Sequence, residues 1–522
     1  MTGDFDYVVV GAGSSGAVLA NRLSADPRTR VCLIEAGSKD TSWLIGMPLG
    51  LIWLAKDRRH NWLFSSTPQA GLGGRRVSIP RGKVLGGSSA INGMIYIQGH
   101  RADYDAWAAA GCTGWSHDDV RPYFVKLRET LSVSRLRDAN PVDQDFIDAA
   151  ARLQLRHCPD FNVAEPEGVG HYQVTQLGGQ RHSSARAFLS GIANRANLSI
   201  VTDNEVTRLD IVGRRVRGVF VRRNGQEARI SARGEVILSA GAIGSPDILL
   251  RSGIGAAAQI KALGVPLHLD LPGVGQNLQD HVDMMVICSS RSTMPYGISA
   301  RALPRLAREG LRWAFARRGM MASNMVEAGG FVRSQPSEPR PDIQFHIIPG
   351  RKSHRGRMLE YGHGVSLHTC VLRPGSRGSV TRTTLDGAPG IDLGLLRDDG
   401  DLERLLRGVK LARSILREEP MARHGLTELV PGETVRSDAE LRDAIRANAR
   451  TVYHPVGTCA MGVGPRAVVD PRLKVHGLDG LRVVDASIMP TIVSGNTNAP
   501  AIMIAEKAAD MILADGKLVL AA

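Results

Sequence analysis

The sequence lacks any apolar run long enough to cross a bilayer, and its first residues include Asp4 and Asp6 rather than a basic leader. Its six cysteines lie far apart, without a CxxC pair or a metal-ligand spacing, so we expect reduced thiols and no metal site. These features predict a cytoplasmic protein. At 522 residues, 43% of them hydrophobic, the chain can bury a large core and is expected to form two domains.

Acidic residues are fewer than basic ones: 51 aspartates and glutamates face 65 lysines and arginines, which gives a net charge of +14. Only ten of the basic residues are lysines, and the arginines are spread along the whole chain. Because no nucleic-acid-binding motif accompanies them, we expect no nucleic-acid partner. An arginine-rich genome explains this composition, and attraction to anionic lipid is the alternative.

The segment 299–321 mixes six arginines with leucine, tryptophan and phenylalanine. Such a segment is typical of a helix that lies in a membrane interface. It is equally typical of a surface helix that packs its apolar side chains on the protein core. The first interpretation predicts a peripheral contact with an anionic membrane, on the inner face of the cell membrane.

Residues 4–37 combine an apolar strand, a glycine-rich turn, a helical segment and a second strand that ends at an acid. Gly11 permits the tight turn, Gly13 lets a pyrophosphate approach the backbone, and Gly16 lets the helix pack against the strand. The phosphates of a dinucleotide are then attracted to the helix N-terminus. Glu35 follows Gly16 at the distance expected of an acid that binds an adenosine ribose. This order of elements predicts that the chain binds FAD or NAD.

Strand-like segments of the nucleotide-binding type recur in the first, middle and last thirds of the chain, so the domain that binds the nucleotide is expected to be discontinuous. We assign residues 1–150, 196–287 and 450–522 to it. Residues 151–195 and 288–449 form the predicted substrate-binding domain. The predicted fold class is α/β and α+β: a Rossmann-like domain interleaved with a domain built on an antiparallel sheet with helices.

Three further motifs carry a family resemblance: GKVLGGSSAIN at 82–92, GAIGSPDILLRSGIG at 241–255 and HPVGTC at 454–459. With the glycine-rich turn at the start, and over essentially its whole length, the chain resembles the glucose–methanol–choline (GMC) oxidoreductases. Within that family it is most similar to the choline-dehydrogenase-like branch. The resemblance implies FAD rather than NAD, and oxidation of an alcohol to an aldehyde.

The resemblance also implies which residues hold the cofactor. Some relatives attach the flavin covalently to a histidine, and because Ile91 takes that place here, we expect non-covalent FAD. The residues expected to contact FAD are Gly11, Gly13, Ser15 and Gly16 at the pyrophosphate, Glu35 and Ala36 at the ribose, Val206 at the adenine, and Val84, Asn92, Gly93, Met94, Asp485, Ala486, Asn496 and Thr497 at the flavin.

His454 matches the catalytic histidine of the family. Alcohol oxidation needs a base that is unprotonated near neutral pH, which suits an imidazole. Its expected partner is Asn498, whose amide could donate a hydrogen bond to the substrate oxygen as charge develops there. Glu327 and Tyr453 are the weaker candidates for the substrate pocket. Since only 5% of the chain is aromatic, whereas cationic substrates favour aromatic rings, choline is not the favoured substrate.

The sequence therefore predicts an FAD-dependent dehydrogenase for primary alcohols, aliphatic or aromatic, that passes electrons to a quinone or another acceptor. The first alternative is an oxidase that passes the electrons to oxygen and releases hydrogen peroxide. A hydroxynitrile lyase, which does no net redox chemistry on the same fold, is an alternative of another class. A flavoprotein without catalysis is a further alternative, and the presence of both His454 and Asn498 argues against it.

Overall fold

The computed structural model describes residues 4–352 and 360–521. Its α-helices, in chain order, are α1 (Ser14–Leu23), α2 (Trp43–Gly46), α3 (Leu51–Leu54), α4 (Arg101–Ala109), α5 (His117–Thr130), α6 (Pro141–Arg152), α7 (Ser184–Phe188), α8 (Gly241–Arg251), α9 (Ala257–Ala262), α10 (Leu303–Ala316), α11 (Asp399–Arg417), α12 (Asp438–Asn448) and α13 (Asn498–Ala521). Within these described residues no helix is both long enough and apolar enough to cross a membrane.

The strands, in chain order, are β1 (Asp4–Val10), β2 (Val31–Ile34), β3 (Phe64–Ser65), β4 (Ser78–Ile79), β5 (Ser134–Arg135), β6 (Gly168–His171), β7 (Gln173–Val174), β8 (Gln176–Leu177), β9 (Gln180–Arg181), β10 (Leu198–Val201), β11 (Glu205–Val212), β12 (Arg215–Arg223), β13 (Gln226–Leu238), β14 (Ile254–Gly255), β15 (Leu269–Asp270), β16 (Val282–Ser290), β17 (Gly297–Ile298), β18 (Ala328–Val332), β19 (Ile343–Ile348), β20 (Gly362–Val371), β21 (Ser379–Thr381), β22 (Gly390–Asp392), β23 (Leu426–Val430), β24 (Arg450–Thr451) and β25 (Leu481–Val483).

The first large sheet has seven strands in the order β10-β2-β1-β13-β12-β11, with β25 also paired to β13. The pairs β10–β2, β2–β1, β1–β13 and β13–β25 are parallel, and the two pairs at the β11 edge are antiparallel. The second half of β1, from Tyr7 to Val10, is an uninterrupted apolar run, as is typical of a strand in a parallel sheet that is covered on both faces, and Val8 and Val9 are fully buried. Its carboxyl end leads directly into the glycine-rich turn and α1.

The second large sheet has eight strands and is antiparallel, in the order β23-β16-β20-β19-β18-β6, with β17 paired to β20 and β24 paired to β16. Helix α11 packs its leucine face on β16 and β20, and α6 packs beside it. The parallel sheet with its helices and this antiparallel sheet confirm the predicted fold class.

The C-terminal helix α13 holds the beginning of the chain in place. Ser15 of α1 donates a hydrogen bond of 2.9 Å from its hydroxyl to the carbonyl oxygen of Ala501. Two turns later in α1, Arg22 forms ion pairs with Glu506 and Asp510. The nucleotide-binding region is therefore assembled from both ends of the sequence.

Sheet membership refines the domain division that we propose. Strand β16, from Val282, pairs with the second sheet along its whole length, whereas the proposed boundary lies at residue 287. Helix α6 also packs in the core of the second sheet, although it precedes the boundary at residue 150. Both observations favour moving these boundaries toward the N-terminus, to about residues 281 and 140.

Candidate active site

One long cavity of about 1330 Å³ runs from the glycine-rich turn after β1 to the face of the antiparallel sheet. Most of the predicted site residues line it: Gly11, Gly13, Ser15, Glu35, Ala36, Asn92, Gly93, Met94, Val206, Tyr453, His454, Asp485, Ala486, Asn496, Thr497 and Asn498. Three predicted residues, Gly16, Val84 and Glu327, are not part of this lining. The predicted nucleotide end and the predicted catalytic histidine therefore face one continuous space.

The glycines of the turn are required for different steric reasons. Gly11 has a φ of +97°, and a Cβ there would lie 2.6 Å from the carbonyl oxygen of Ser239. A Cβ at Gly16 would lie only 1.8 Å from the carbonyl oxygen of Gly11, so Gly16 serves the contact between α1 and the turn. At Gly13 the nearest atom to a Cβ is the Cα of Gly87 at 3.9 Å, and the space beside it belongs to the cavity.

Glu35 is buried at the end of β2 and holds the turn. Its two carboxylate oxygens accept hydrogen bonds from the backbone N–H groups of Ala12, at 3.0 Å, and Gly37, at 2.9 Å. Burial raises the pKa of Glu35 to about 7, although these two hydrogen bonds act in the opposite direction. The side chain also faces the cavity, where the predicted contact with a ribose would take place.

The walls of the cavity suit a long, flat dinucleotide. Helix α1 starts at the cavity without a side-chain cap, which leaves its first N–H groups available to an anion. A Cβ at Gly93 or Gly241 would meet no atom within 4 Å, so a planar group can approach the backbone at both places. Asp485 accepts hydrogen bonds from the N–H of Gly241 and the hydroxyl of Ser245, and these two bonds connect Asp485 to the first turns of α8.

Two imidazoles stand in contact at the other end of the cavity. The Nε2 of His281 lies 3.0 Å from the carbonyl oxygen of Leu372, and its Nδ1 lies 3.0 Å from the Nδ1 of His454. Because a carbonyl only accepts, Nε2 of His281 carries the proton and its Nδ1 is an acceptor. His454 therefore donates from Nδ1, and its Nε2 is left without a proton.

His454 is held in place by its backbone as well as by its ring. Its N–H donates to Oδ1 of Asp280 at 2.9 Å, and Asp280 also accepts from the hydroxyl of Thr451. Burial lowers the pKa of His454 well below 6.5, and the neighbouring His281 and His346 lower it further. The ring is therefore a neutral base at neutral pH.

The amide beside His454 belongs to Asn496, which corrects the prediction that Asn498 is its partner. Nδ2 of Asn496 lies 3.2 Å from Nε2 of His454, and its Oδ1 accepts from the amide of Gln344 at 3.1 Å. Gln344 thus fixes the orientation of this amide. Asn498 is the first residue of α13, and its Oδ1 accepts a 2.7 Å hydrogen bond from the hydroxyl of Ser14. Its side chain serves the glycine-rich turn.

The two candidates for the substrate pocket differ in location. Tyr453 lines the cavity, and its carbonyl oxygen accepts a hydrogen bond of 2.6 Å from Arg81. Glu327 is fully buried outside the lining and accepts hydrogen bonds from the N–H of Asn140 and the hydroxyls of Tyr296 and Ser323. The prediction that Glu327 contacts substrate is therefore wrong, because its carboxylate is already surrounded by donors from the protein.

Several polar residues of this end were not found from the sequence. His281 lies 173 residues from His454 along the chain. His346 lines the cavity, and its pKa is lowered to about 3 by burial. His368 also lines it and pairs through Nδ1 with Asp283 at 2.7 Å. The sequence offers one signal for these histidines, which is their position in or beside strongly apolar strands. A buried imidazole in such a strand needs a polar partner.

The comparisons with known proteins agree with this geometry. Models of the two parts of the GMC oxidoreductase family match residues 5–283 and 374–505. The chain belongs to the GMC oxidoreductase family. GMC oxidoreductases are FAD-binding enzymes, which confirms the predicted enzyme class and FAD as the cofactor.

Individual relatives cover nearly the whole chain. An alcohol dehydrogenase (acceptor) of Pseudomonas putida is 46% identical over 98% of this chain and 96% of its own length. The mitochondrial choline dehydrogenase of Homo sapiens is 42% identical over 98% of this chain and 90% of its own. The crystal structure of pyridoxine 4-oxidase from Mesorbium loti is 32% identical, with a TM-score of 0.86 over 97% of this chain and 98% of that one.

Alanine substitutions at Gly16 and Gly13 are expected to have different effects, because Gly16 serves packing and Gly13 borders the cavity. Gly16→Ala is expected to lower the free energy of unfolding by about 2–3 kcal/mol, because its Cβ would overlap the Gly11 carbonyl. Gly13→Ala should fold normally but retain less FAD, since its Cβ enters the space beside the helix N-terminus. Urea unfolding and the flavin absorbance of the purified variants measure these effects. Equal destabilisation by both substitutions would contradict this assignment.

Proposed function

We propose that this protein oxidises a primary alcohol to its aldehyde with FAD, using His454 as the base. The observation that carries this proposal is the unprotonated Nε2 of a neutral His454, which accepts a hydrogen bond from the amide of Asn496 at the cavity while its Nδ1 donates to His281. The similarity to an alcohol dehydrogenase of Pseudomonas putida supports the same reaction. When bound, FAD supplies the acceptor for the hydride of the alcohol carbon.

The residues of the chain would handle the proton and the oxygen. The hydroxyl of the substrate gives its proton to Nε2 of His454, and the C–H bond breaks as the hydride leaves with its electron pair, so that a C=O bond forms. The amide of Asn496 donates to the oxygen as negative charge develops there. The positive charge gained by His454 is stabilised by the hydrogen bond from its Nδ1 to His281.

Non-covalent attachment of FAD is part of the proposal. Ile91 lines the cavity where some relatives carry a histidine bonded to the flavin, and a hydrocarbon side chain has no nucleophilic atom. We therefore expect that acid precipitation releases the flavin into the supernatant.

The electron acceptor is proposed to be a quinone or a similar carrier, in agreement with the acceptor-type relative. An oxidase that releases hydrogen peroxide is the alternative, and peroxide measured with and without a quinone analogue distinguishes the two. A hydroxynitrile lyase is the second alternative. A lyase leaves the flavin oxidised when substrate is added without oxygen, whereas an alcohol dehydrogenase bleaches it.

Helix α10 supports a peripheral contact with an anionic membrane. Leu306 on this helix lines the cavity, whereas Leu311 and Phe315 point outward and are 61% and 88% exposed. Six arginines surround these apolar side chains, and acids of the protein pair with some of them, as Asp138 does with Arg318. Both sequence interpretations of this segment therefore describe part of the helix: one side packs on the protein and the other is unpartnered.

The base is tested by His454→Gln, which keeps polar atoms at the site but removes the proton acceptor. We expect the protein to retain its yellow flavin and the rate of anaerobic flavin bleaching by an alcohol to fall by about 100-fold or more. His157→Gln, at an exposed histidine, is the matched control and should bleach at the parental rate. Bleaching by the His454 variant at the parental rate would refute the assignment of the base.

The pH profile gives an independent check on the neutral His454. Because only the unprotonated ring accepts a proton, and because burial lowers its pKa well below 6.5, kcat/KM should stay constant as the pH falls from about 8 through 6.5. The rate should decline only at lower pH. A decline centred at or above pH 6.5 would show that the base is a histidine with an ordinary pKa.

The membrane contact is tested by cosedimentation with vesicles. The parent protein should bind phosphatidylglycerol vesicles more tightly than phosphatidylcholine vesicles, with binding that weakens as salt is added. The double variant Leu311→Ser and Phe315→Ser should lose most of this binding. Val463→Ser, at another exposed apolar side chain, serves as the control. Binding that is unchanged in the double variant would contradict the proposed contact.

A further inference from the structure

Two cations line the cavity near Tyr453 with no carboxylate in ion-pair contact with either of them. Lys352 follows β19, and Arg450 is the first residue of β24. In the part of the chain that the structure describes, neither side chain forms an ion pair or a hydrogen bond to a carboxylate. Both residues are half-buried, and the nearby acid Asp283 is already held by His368. Partly desolvated cations that contact no carboxylate are stabilised when an anion reaches them.

The two cations belong to the same wall of the cavity. The backbone N–H of Lys352 donates to the hydroxyl of Ser366 on β20 at 2.9 Å, and the backbone of Arg450 on β24 lies opposite that of Asp283 on the adjacent β16. The positive charges of Lys352 and Arg450 both lower the pKa of His368, so both side chains lie within electrostatic range of this imidazole. Nδ1 of His368 in turn forms a hydrogen bond of 2.7 Å with Oδ2 of Asp283.

The position of Lys352 at the cavity wall lowers its pKa. Burial lowers the pKa of this lysine to about 8; the charge of Arg450 acts in the same direction and that of Asp283 opposes it. At pH 7 the side chain is therefore still mostly protonated. It presents a positive charge to the cavity at working pH.

Other charges along the cavity strengthen this asymmetry. Near His454, Arg81 and Arg351 add two cations to the lining, and the carboxylate of Glu360 is paired with Arg351 at 3.3 Å. The remaining carboxylates of the lining, which are Glu35, Glu205, Asp247 and Asp485, lie among the residues of the nucleotide-binding part. The end that faces the antiparallel sheet is thus cationic.

This end of the cavity is built from other elements than the part expected to hold the flavin. Lys352 follows β19 and Arg450 begins β24, both of the antiparallel sheet, whereas the residues expected at the flavin, Asn92 to Met94 and Asp485 to Ala486, lie outside that sheet. Arg450 precedes His454 by four residues, which span at most about 13 Å in an extended chain. An anion at the cations is therefore within reach of an alcohol of moderate length whose hydroxyl lies at His454.

We propose that Lys352 and Arg450 bind a carboxylate at the far end of the substrate, so that the preferred alcohols are hydroxy carboxylates. This inference rests on the proposed function, since it assumes that an alcohol is oxidised beside His454. It distinguishes the protein from its choline dehydrogenase relatives, because the two cations repel a quaternary ammonium.

Paired substrates of equal chain length test the proposal. We expect kcat/KM for 6-hydroxyhexanoate to exceed that for 1-hexanol by about tenfold or more, which corresponds to one charge-assisted hydrogen bond. Lys352→Met and Arg450→Gln should each reduce this ratio by about tenfold. Lys410→Met, at an exposed lysine paired with Asp438, is the matched control and should leave the ratio unchanged. A parental ratio near one, or a ratio that neither substitution changes, would overturn the proposal.

A binding experiment keeps the proposal separate from the reaction. Hexanoate and hexanamide are titrated into the FAD-loaded protein, and binding is followed by calorimetry. Hexanoate should bind about tenfold more tightly than the amide in the parent and equally in Lys352→Met. If alcohols fail to bleach the flavin but this difference is observed, the proposed function is wrong and the carboxylate subsite stands. If alcohols bleach the flavin but hexanoate shows no preference, the subsite is wrong.

The substitution of Lys352 is not expected to compromise folding. Removing an enclosed charge that has no counter-ion relieves a desolvation cost, so the melting temperature of Lys352→Met should equal or exceed that of the parent. This measurement ensures that a lost preference for hexanoate reports on binding. A lower melting temperature would show that the ammonium has a stabilising partner and would overturn the proposal.

Discussion

The hydrogen-bonded chain from Leu372 through His281 to His454 is the interaction on which the chemistry of this site depends. A backbone carbonyl fixes the proton on one ring, that ring fixes the proton on the next, and the last nitrogen is left without a proton beside the amide of Asn496. No charged group is needed to select this arrangement. The carbonyl follows β20, and His281 immediately precedes β16, so two adjacent strands of the antiparallel sheet set the protonation of a residue outside it.

This arrangement explains why the two parts of the molecule are interleaved. The nucleotide-binding part supplies the glycine-rich turn and Glu35, and the antiparallel sheet supplies the wall that carries His346, His368, Lys352 and Arg450. His454 lies between them, anchored through its backbone to Asp280. The residues expected to hold the cofactor and the wall that carries these histidines and cations thus come from different parts of the fold.

The nucleotide-binding part of the fold could be predicted because its signal is local. The strand, the turn with Gly11 and Gly16, and Glu35 lie within one short stretch, and each has a steric or hydrogen-bonding reason that the structure displays. The amide beside His454 could not be predicted in this way. Asn496 and Asn498 are two residues apart, and the start of α13 decides which of them faces the imidazole. Such a choice depends on helix geometry that the spacing alone does not contain.

Contacts between residues that lie far apart in the chain could not be predicted from the sequence for the same reason. His281 and His454 become neighbours only when the second sheet forms. That Lys352 and Arg450 line the same cavity likewise follows from the fold and not from their spacing in the sequence. Glu327 illustrates the opposite error. A carboxylate near a predicted pocket was assigned to substrate, and the fold surrounds it with Asn140, Tyr296 and Ser323 instead. Counting donors around a buried acid requires the packed structure.

The ties between α1 and α13 have a consequence for biosynthesis. The turn that receives the dinucleotide is translated long before α13, and Ser14 and Ser15 find their partners 484 and 486 residues later, in that helix. Strand β25 also joins the parallel sheet late, beside β13. The nascent chain thus carries an unfinished nucleotide site until α13 has been made, and FAD can be captured firmly only after that helix has been synthesised.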